Sequence, residues 1–406
     1  MLLDKSVIRQ THPDYTRYLP DWLFFDQSYI GGREWITESN VFRHSRETKE
    51  DYQRRLNRFV YCNYCEAVIT VFTSYIFGGE MTVERNATVQ GVDEFYKDVD
   101  RQGSTISDFM QDIAIDAQVF GSVGVTVDLP QAEVEIRTGA DARANNIRPY
   151  LRIYEPTAVC DWSYDANGQL NWVRLKESSR DDSDPFMRVA KEKVTYSTLS
   201  RGTWHLHNDM GGEVATGEHG LGEVPFVPIY FKKQRRKRMI GIGQLQDIAR
   251  INRLLVNIIS FIEEFIEMQA FPFLAAPLGI GGADEDTVIS VKHIFEYPME
   301  GNPPSYISPP TDPARFMLEM VSGFLRKEIY RIAKLESREL MEQSGIAKEY
   351  DFHQTESALG RFARNLEIGE NRIMSIWAKW QGREWDNSTD YPDDFNVEPL
   401  NNALKN

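Results

Sequence analysis

Apolar residues recur at steps of three and one between positions 248 and 266: Ile248, Ile251, Leu254, Leu255, Ile258, Ile259, Ile262, Phe265 and Ile266. Polar Asp247, Arg250, Arg253, Asn257, Glu263, Glu264 and Glu267 fall between them. This spacing predicts an amphipathic helix of about five turns. The pattern returns after 312, with Phe316, Met317, Met320, Val321, Phe324, Leu325, Ile329 and Ile332. There Asp312 suits the N-cap and Pro313 the first helical position, where its missing N–H costs nothing. At about 1.5 Å per residue each helix would run roughly 35–40 Å. Between them, Phe271-Pro272-Phe273-Leu274-Ala275-Ala276-Pro277 cannot continue a helix and reads as a short strand. A turn follows over 279–286, then a second strand or short helix over 288–297. Asn302-Pro303-Pro304 and Ser308-Pro309-Pro310 are stiff, extended linkers. The stretch fits two rods around a small knob. It fits a helical hairpin with a decorated loop equally well.

The rest of the chain is mixed. Residues 12–30 predict two short helical pieces interrupted at Pro20, and 31–36 a turn with a short extended piece. A long helix is expected over 47–77, stopped by Gly78-Gly79. Further helices are expected over 95–100 and 105–120. A β-branched strand then opens at Gly121. From 150 to 231 the pattern turns to strands, with Asn167-Gly168 as a hairpin signal. A third amphipathic helix is expected over about 354–380, followed by an acidic tail. The class is α+β.

Composition narrows the reading. The chain has 406 residues, enough for two or three structural units. Its net charge of −15 argues against ordinary phosphate-backbone binding, which needs clustered Lys and Arg. Three cysteines do not make a disulfide framework. The N-terminus does not resemble a signal peptide, and no apolar run reaches the ~20 residues of a membrane span. The expected compartment is a reducing cytosol, or a particle assembled there.

Candidate chemistry is sparse. Cys62 and Cys65 form C-x-x-C inside an expected apolar helix, with only Cys160 left, so two buried thiols outweigh a zinc site. His205 and His207 alternate on a strand, where solvent-facing histidines outweigh a chelate. Gly241-x-Gly243 opens a helix after a strand but lacks the rest of a phosphate-binding signature. No carboxylate pair stands out. The sharpest charge feature is Lys232-Lys233-Gln234-Arg235-Arg236-Lys237-Arg238. It reads as a solvated loop, or as a contact with DNA or with an acidic neighbouring subunit.

Several stretches together resemble phage portal proteins, in particular the group with a short, largely crown-less C-terminus. They are His12-Pro13-Asp14-Tyr15 with Trp22, and Tyr52-Gln53-Arg54-Arg55-Leu56 running to Tyr61-Cys62-Asn63 and Gly78-Gly79. They continue with Asp98-Val99-Asp100-Arg101-Gln102-Gly103-Ser104, Phe109, and Phe120-Gly121-Ser122-Val123-Gly124-Val125-Thr126-Val127-Asp128-Leu129-Pro130. Tyr150-Leu151-Arg152-Ile153-Tyr154 with Val159 and Asp161-Trp162, and Gln246-Asp247-Ile248-Ala249-Arg250-Ile251-Asn252, complete the set.

The resemblance implies an α/β wing over 1–240 and stem helices over 241–269 and 312–338. It implies a small α/β clip over 270–311, a tunnel loop over 339–351 and a wing helix over 352–381. Residues 382–406 would be an acidic tail or vestigial crown. It further implies a ring of twelve copies at the unique capsid vertex of the virion, assembled in the host cytoplasm. That ring would be a conduit for double-stranded DNA in packaging and ejection. Its partners would be the major capsid protein, the terminase large subunit and a neck or adaptor protein, with no membrane. Lys334, Arg338, Glu342, Ser344 and Lys348 become tunnel-loop candidates. Phe271, Phe273, Asp284, Glu285, Asp286 and Tyr297 become adaptor-binding clip candidates. Lys232, Lys233, Arg235, Arg236, Lys237 and Arg238 form a basic junction. No catalytic residue, metal or cofactor is expected. The rival expectations are a tail or baseplate scaffold without a channel, and a metal-dependent phage nuclease.

Overall fold

The computed structural model describes residues 4–78, 83–130, 147–181, 186, 191–270, 273–277, 294–297, 305–307, 312–335, 345–386, 388–392 and 395. It is an α+β structure whose contacts divide into two units. Unit 1 comprises 1–29, 65–247 and 334–406; unit 2 comprises 30–64 and 248–333.

Unit 1 is built on two antiparallel sheets. Short elements flank them: α1 (Lys5–Ile8), α6 (Val92–Lys97), and β1 (Glu84–Arg85), which pairs with β13 (Thr389–Asp390). The smaller sheet has strand order β3-β2-β9, with β2 (Ser122–Asp128) between β3 (Tyr150–Tyr154) and β9 (Phe226–Tyr230). Helices α7 (Ile106–Phe120) and α11 (Gly345–Trp380) pack against it. Their shared core includes Ile113, Ala117, Val125, Ile229, Phe362, Leu366 and Trp377, all essentially without solvent contact. β2 is buried from Ser122 to Val127, its polar Ser122 and Thr126 included, and only Asp128 at its end is exposed. The larger sheet is a meander in chain order: β4 (Val159–Tyr164), β5 (Leu170–Asp181), β6 (Lys191–Ser200), β7 (Thr203–Asn208) and β8 (Glu213–Glu218). Asn167-Gly168 turns β4 into β5, with Gly168 at φ +84°.

Unit 2 contains most of helix α8 (Leu245–Ala270). It also holds a three-stranded sheet and a second long helical stretch. In the sheet β10 (Phe273–Pro277) lies between β11 (Ile294–Tyr297, parallel) and β12 (Ser305–Ile307, antiparallel). The second stretch is α9 (Asp312–Glu319), a π-helical segment Met320–Leu325, and α10 (Arg326–Ala333). The two rods and the inserted sheet are thus real elements.

Segment 30–64 of unit 2 carries helix α4 (Lys49–Arg58) and docks on α8 through polar side chains. Asn257 accepts from Phe42 N at 2.6 Å and donates to Asn40 O at 3.0 Å. Asn252 donates to the Tyr61 hydroxyl at 2.9 Å. Arg55, buried, donates to Glu47 at 2.8 and 3.0 Å, to Phe42 O at 2.6 Å and to Ser260 Oγ at 3.3 Å. Arg58 pairs with Glu264 and Glu267, one turn further along.

Several expectations are corrected. Residues 13–30 form one helix, α2 (Pro13–Ile30), running through Pro20. Burial of Tyr15, Trp22 and Phe25 on one face outweighs the single lost hydrogen bond. Positions 31–36 hold a short helix, α3 (Gly32–Trp35), in place of a turn and extended piece. The helix expected over 47–77 is two, α4 and α5 (Tyr64–Phe77). It breaks where Phe59 and Tyr61 swing onto the Trp35 ring, at centroid distances of 5.7 and 4.5 Å. The second rod is not uniformly α-helical, because of its π segment. The third helix starts at Gly345, nine residues before the expected 354, which takes in part of the expected loop 339–351.

Candidate functional site

The basic junction follows directly from β9. Lys233 and Gly241 form an antiparallel bridge, and Ile242 N donates to Lys232 O at 2.9 Å, so 232–242 closes into a loop. Its base is pinned by glycines. A Cβ on Gly241 would lie 1.8 Å from Gly121 O, and one on Gly243 2.7 Å from Val119 O. Only hydrogen side chains allow the two backbones to cross here. Gly241 N donates to Ser122 Oγ at 3.3 Å and Gln244 N to Gln118 O at 2.8 Å. These N–H groups are spent within the fold, so Gly241-x-Gly243 is a crossing point and not a phosphate cradle.

The six cations of the loop divide. Lys237 pairs with Asp14 and sits 4.8 Å over the Tyr18 ring. Arg238 lies 5.4 Å over the Tyr164 ring, and Lys233 lies 5.5 Å over Tyr230. Burial raises the Tyr164 hydroxyl to about 12 and also raises that of Tyr230, so both rings stay neutral supports for the cations. Lys232, Lys233, Arg235, Arg236 and Arg238 are exposed and have no carboxylate partner among the described residues.

Lys334, a tunnel-loop candidate, follows α10 with φ +56°, and its carbonyl accepts from Thr355 Oγ1 on α11. Its ammonium lies below the ordinary lysine value, first through desolvation and then through repulsion from Arg361 and Lys232. Lys334 therefore feels the charge of a member of the basic junction. Arg361 was missed in the sequence, because its effect on Lys334 depends on how α11 packs in the fold. Of the other tunnel-loop candidates, Arg338, Glu342 and Ser344 lie outside the described residues, and Lys348 is placed only as backbone in α11. Among the clip candidates, Phe273 and Tyr297 fall on β10 and β11, while Phe271, Asp284, Glu285 and Asp286 lie outside the described residues.

The rods expose large apolar side chains. Ile266 on α8 is 59% exposed, Phe316 and Leu318 on α9 are 67% and 56%, and Phe324 in the π segment is 55%. Ile266, Phe316 and Phe324 follow the helical spacing read in the sequence, and no described part of the chain covers them.

The minor motifs resolve as follows. Cys65 is buried in α5, but Cys62 precedes that helix and is partly exposed, which corrects its expected placement inside it. His207 is buried and not solvent-facing as expected, and desolvation lowers its pKa. No cluster of three or more His, Cys, Asp or Glu residues placed to hold a metal occurs among the described residues. No helix among them is long and apolar enough to cross a membrane.

No protein-family model matches the chain, and no curated protein matches it significantly. Solved structures to which it is similar include chains of gene transfer agent (GTA) particles. One is from the neck of an empty GTA particle computed with C6 symmetry, at 11% identity over 93% of both chains, with a TM-score of 0.47. Another is from the virion of a native GTA particle, at 10% identity over 90% of both chains and 0.46. A third is from the neck of a native GTA particle computed with C12 symmetry. It has 9% identity over 94% of this chain and 92% of that chain, and a TM-score of 0.42.

Proposed function

We propose that this chain is a portal subunit: copies close into a ring at a capsid vertex, and double-stranded DNA passes through the ring during packaging and ejection. The observation that carries this is unit 2, where two long helical rods bracket a small inserted sheet while keeping Phe316, Leu318, Phe324 and Ile266 in solvent. Several large apolar side chains left in solvent on such rods are what protein contacts cover, and a ring of identical subunits supplies a neighbour to every rod. The residue stretches that resemble portal proteins, spread from His12 to Asn252, support the same reading.

In this reading α8 and the 312–333 stretch are the stem, and the inserted sheet is the clip that meets a neck or adaptor protein. The ring has twelve copies, with the terminase large subunit and the major capsid protein as further partners. The excess of 61 acidic over 46 basic residues suits a passage that lets phosphate slide without gripping it. Lys334 with Arg361 and Lys232 supplies a local cationic point for transient contact with the backbone. The role requires no catalytic step, metal or cofactor.

End-on electron micrographs of the purified protein, with mass photometry, test it. The expected result is a closed ring with a bore of duplex width, and loss of that ring in Phe316→Ser/Phe324→Ser with unchanged circular dichroism. A compact monomer at high concentration refutes it. Divalent-metal-dependent cleavage of DNA by the pure protein would move the chain to the nuclease class.

A further inference from the structure

Beneath the basic loop lies a cleft of about 360 Å³. Val227, Ile229 and Ile368 give it an apolar floor, and no Asp or Glu among the described residues lines it. Four cations stand around it. Two are answered inside the chain, Lys237 by Asp14 and Arg372 by Glu223. The other two, Lys233 and Arg238, are held over tyrosine rings without a carboxylate among the described residues. Gln234 also lines the cleft, and its buried side-chain oxygen has no hydrogen-bond donor among the described residues.

These unanswered groups describe a ligand. It brings negative charge to Lys233 and Arg238, an N–H to Gln234 Oε1, and an apolar group to the floor. A phosphodiester backbone offers charge but neither donor nor apolar group, and duplex DNA is convex where this site is concave. An acidic stretch of polypeptide offers all three. Six of the chain's 46 Lys and Arg residues occupy the seven positions 232–238, while all 61 acidic residues lie elsewhere. Each copy therefore carries a concentrated cationic patch and a broadly acidic remainder, which is the complementarity a head-to-tail contact requires.

We propose that the cleft and its loop receive an acidic segment of a second copy of this chain, making the 232–238 loop a subunit-joining device. This rests on the ring reading above. Mass photometry of the full chain across a concentration series tests it. Lys233→Glu/Arg236→Glu, both exposed positions, should raise the concentration of half-assembly at least about tenfold. Charge removal in Lys233→Gln/Arg236→Gln should raise it less, and 0.5 M NaCl should move wild type toward the variants. Lys176→Glu/Arg180→Glu, with the same change of charge on β5, should leave it unmoved.

Wild type that forms rings alongside a charge-reversed variant with the same midpoint overturns the inference alone. So does an equal shift in the β5 control, which would make the effect one of net charge. Loss of binding to a labelled DNA duplex without a change in assembly assigns the loop to nucleic acid and overturns it too. Wild type that stays monomeric throughout overturns both this and the ring.

Discussion

Arg55→Met probes how segment 30–64 is held on helix α8. The Arg55 side chain is 2% exposed and its partner Glu47 12%. Its guanidinium makes two hydrogen bonds to that carboxylate, one to Phe42 O and one to Ser260 Oγ, and lies 4.9 Å over the Phe261 ring. Methionine keeps most of the volume but leaves a largely buried carboxylate with only the His44 N–H donating to it, and the Phe42 carbonyl without its Arg55 donor. Breaking one side of such a pair costs about 3–5 kcal/mol. Adding Glu47→Gln to the Arg55→Met variant removes the orphaned charge and should recover at least about 1 kcal/mol, a coupling that a double-mutant cycle reads.

The assay is native-state hydrogen exchange of α4 and of 248–261, which reports local opening without requiring two-state unfolding of a chain with two units. The pH dependence adds a second check. The Arg55 hydrogen bond holds the Glu47 carboxyl below the usual carboxylate value, so its stabilisation is present above the unfolded value and fades as pH falls through the folded one. Protection of α4 in wild type should therefore decline on acidification below about pH 4.5, and the decline should be shallower in Arg55→Met. Exchange within about 1 kcal/mol of wild type at pH 7, or strict additivity in the cycle, refutes the reasoning.

Gly241→Ala should cost at least about 3 kcal/mol, because the new Cβ would meet Gly121 backbone that cannot yield; thermal unfolding measures it. Gly323→Ala, in the π segment with open space around the new methyl, should be neutral or stabilise by up to about 1 kcal/mol in the same measurement. Asp116 on α7 is raised to about 7, by burial first and then by Glu155, Asp112 and Asp26. The folded state then holds a proton that the unfolded state has released between about pH 4 and 7, so this group's contribution to stability falls across that window. Asp116→Asn should flatten the fall and raise stability at pH 8 by about 1–3 kcal/mol, read by denaturant titration at pH 4.5 and 8.

The sequence by itself determined the elements whose signal is local. Helical spacing from Ile248 to Ile266, the Asp312-Pro313 start, the β-branched run after Gly121 and the Asn167-Gly168 turn each encode backbone preference within a few residues, and each became the element expected. Tertiary structure decided what depends on partners distant in the chain. A helix runs through Pro20 because three aromatic side chains on its face are buried. Another stops at Phe59 because Trp35 offers a ring to stack on. His207 is buried by the meander, and β8, with its polar sequence, exists because β7 offers an open edge. The basic run was visible as charge, but its division into tied and free cations was not. That division depends on Asp14, Tyr18 and Tyr164, and chain folding brings them there from far along the sequence. Local preference is worth tenths of a kcal/mol per residue and side-chain burial a few, so packing prevails wherever the two disagree.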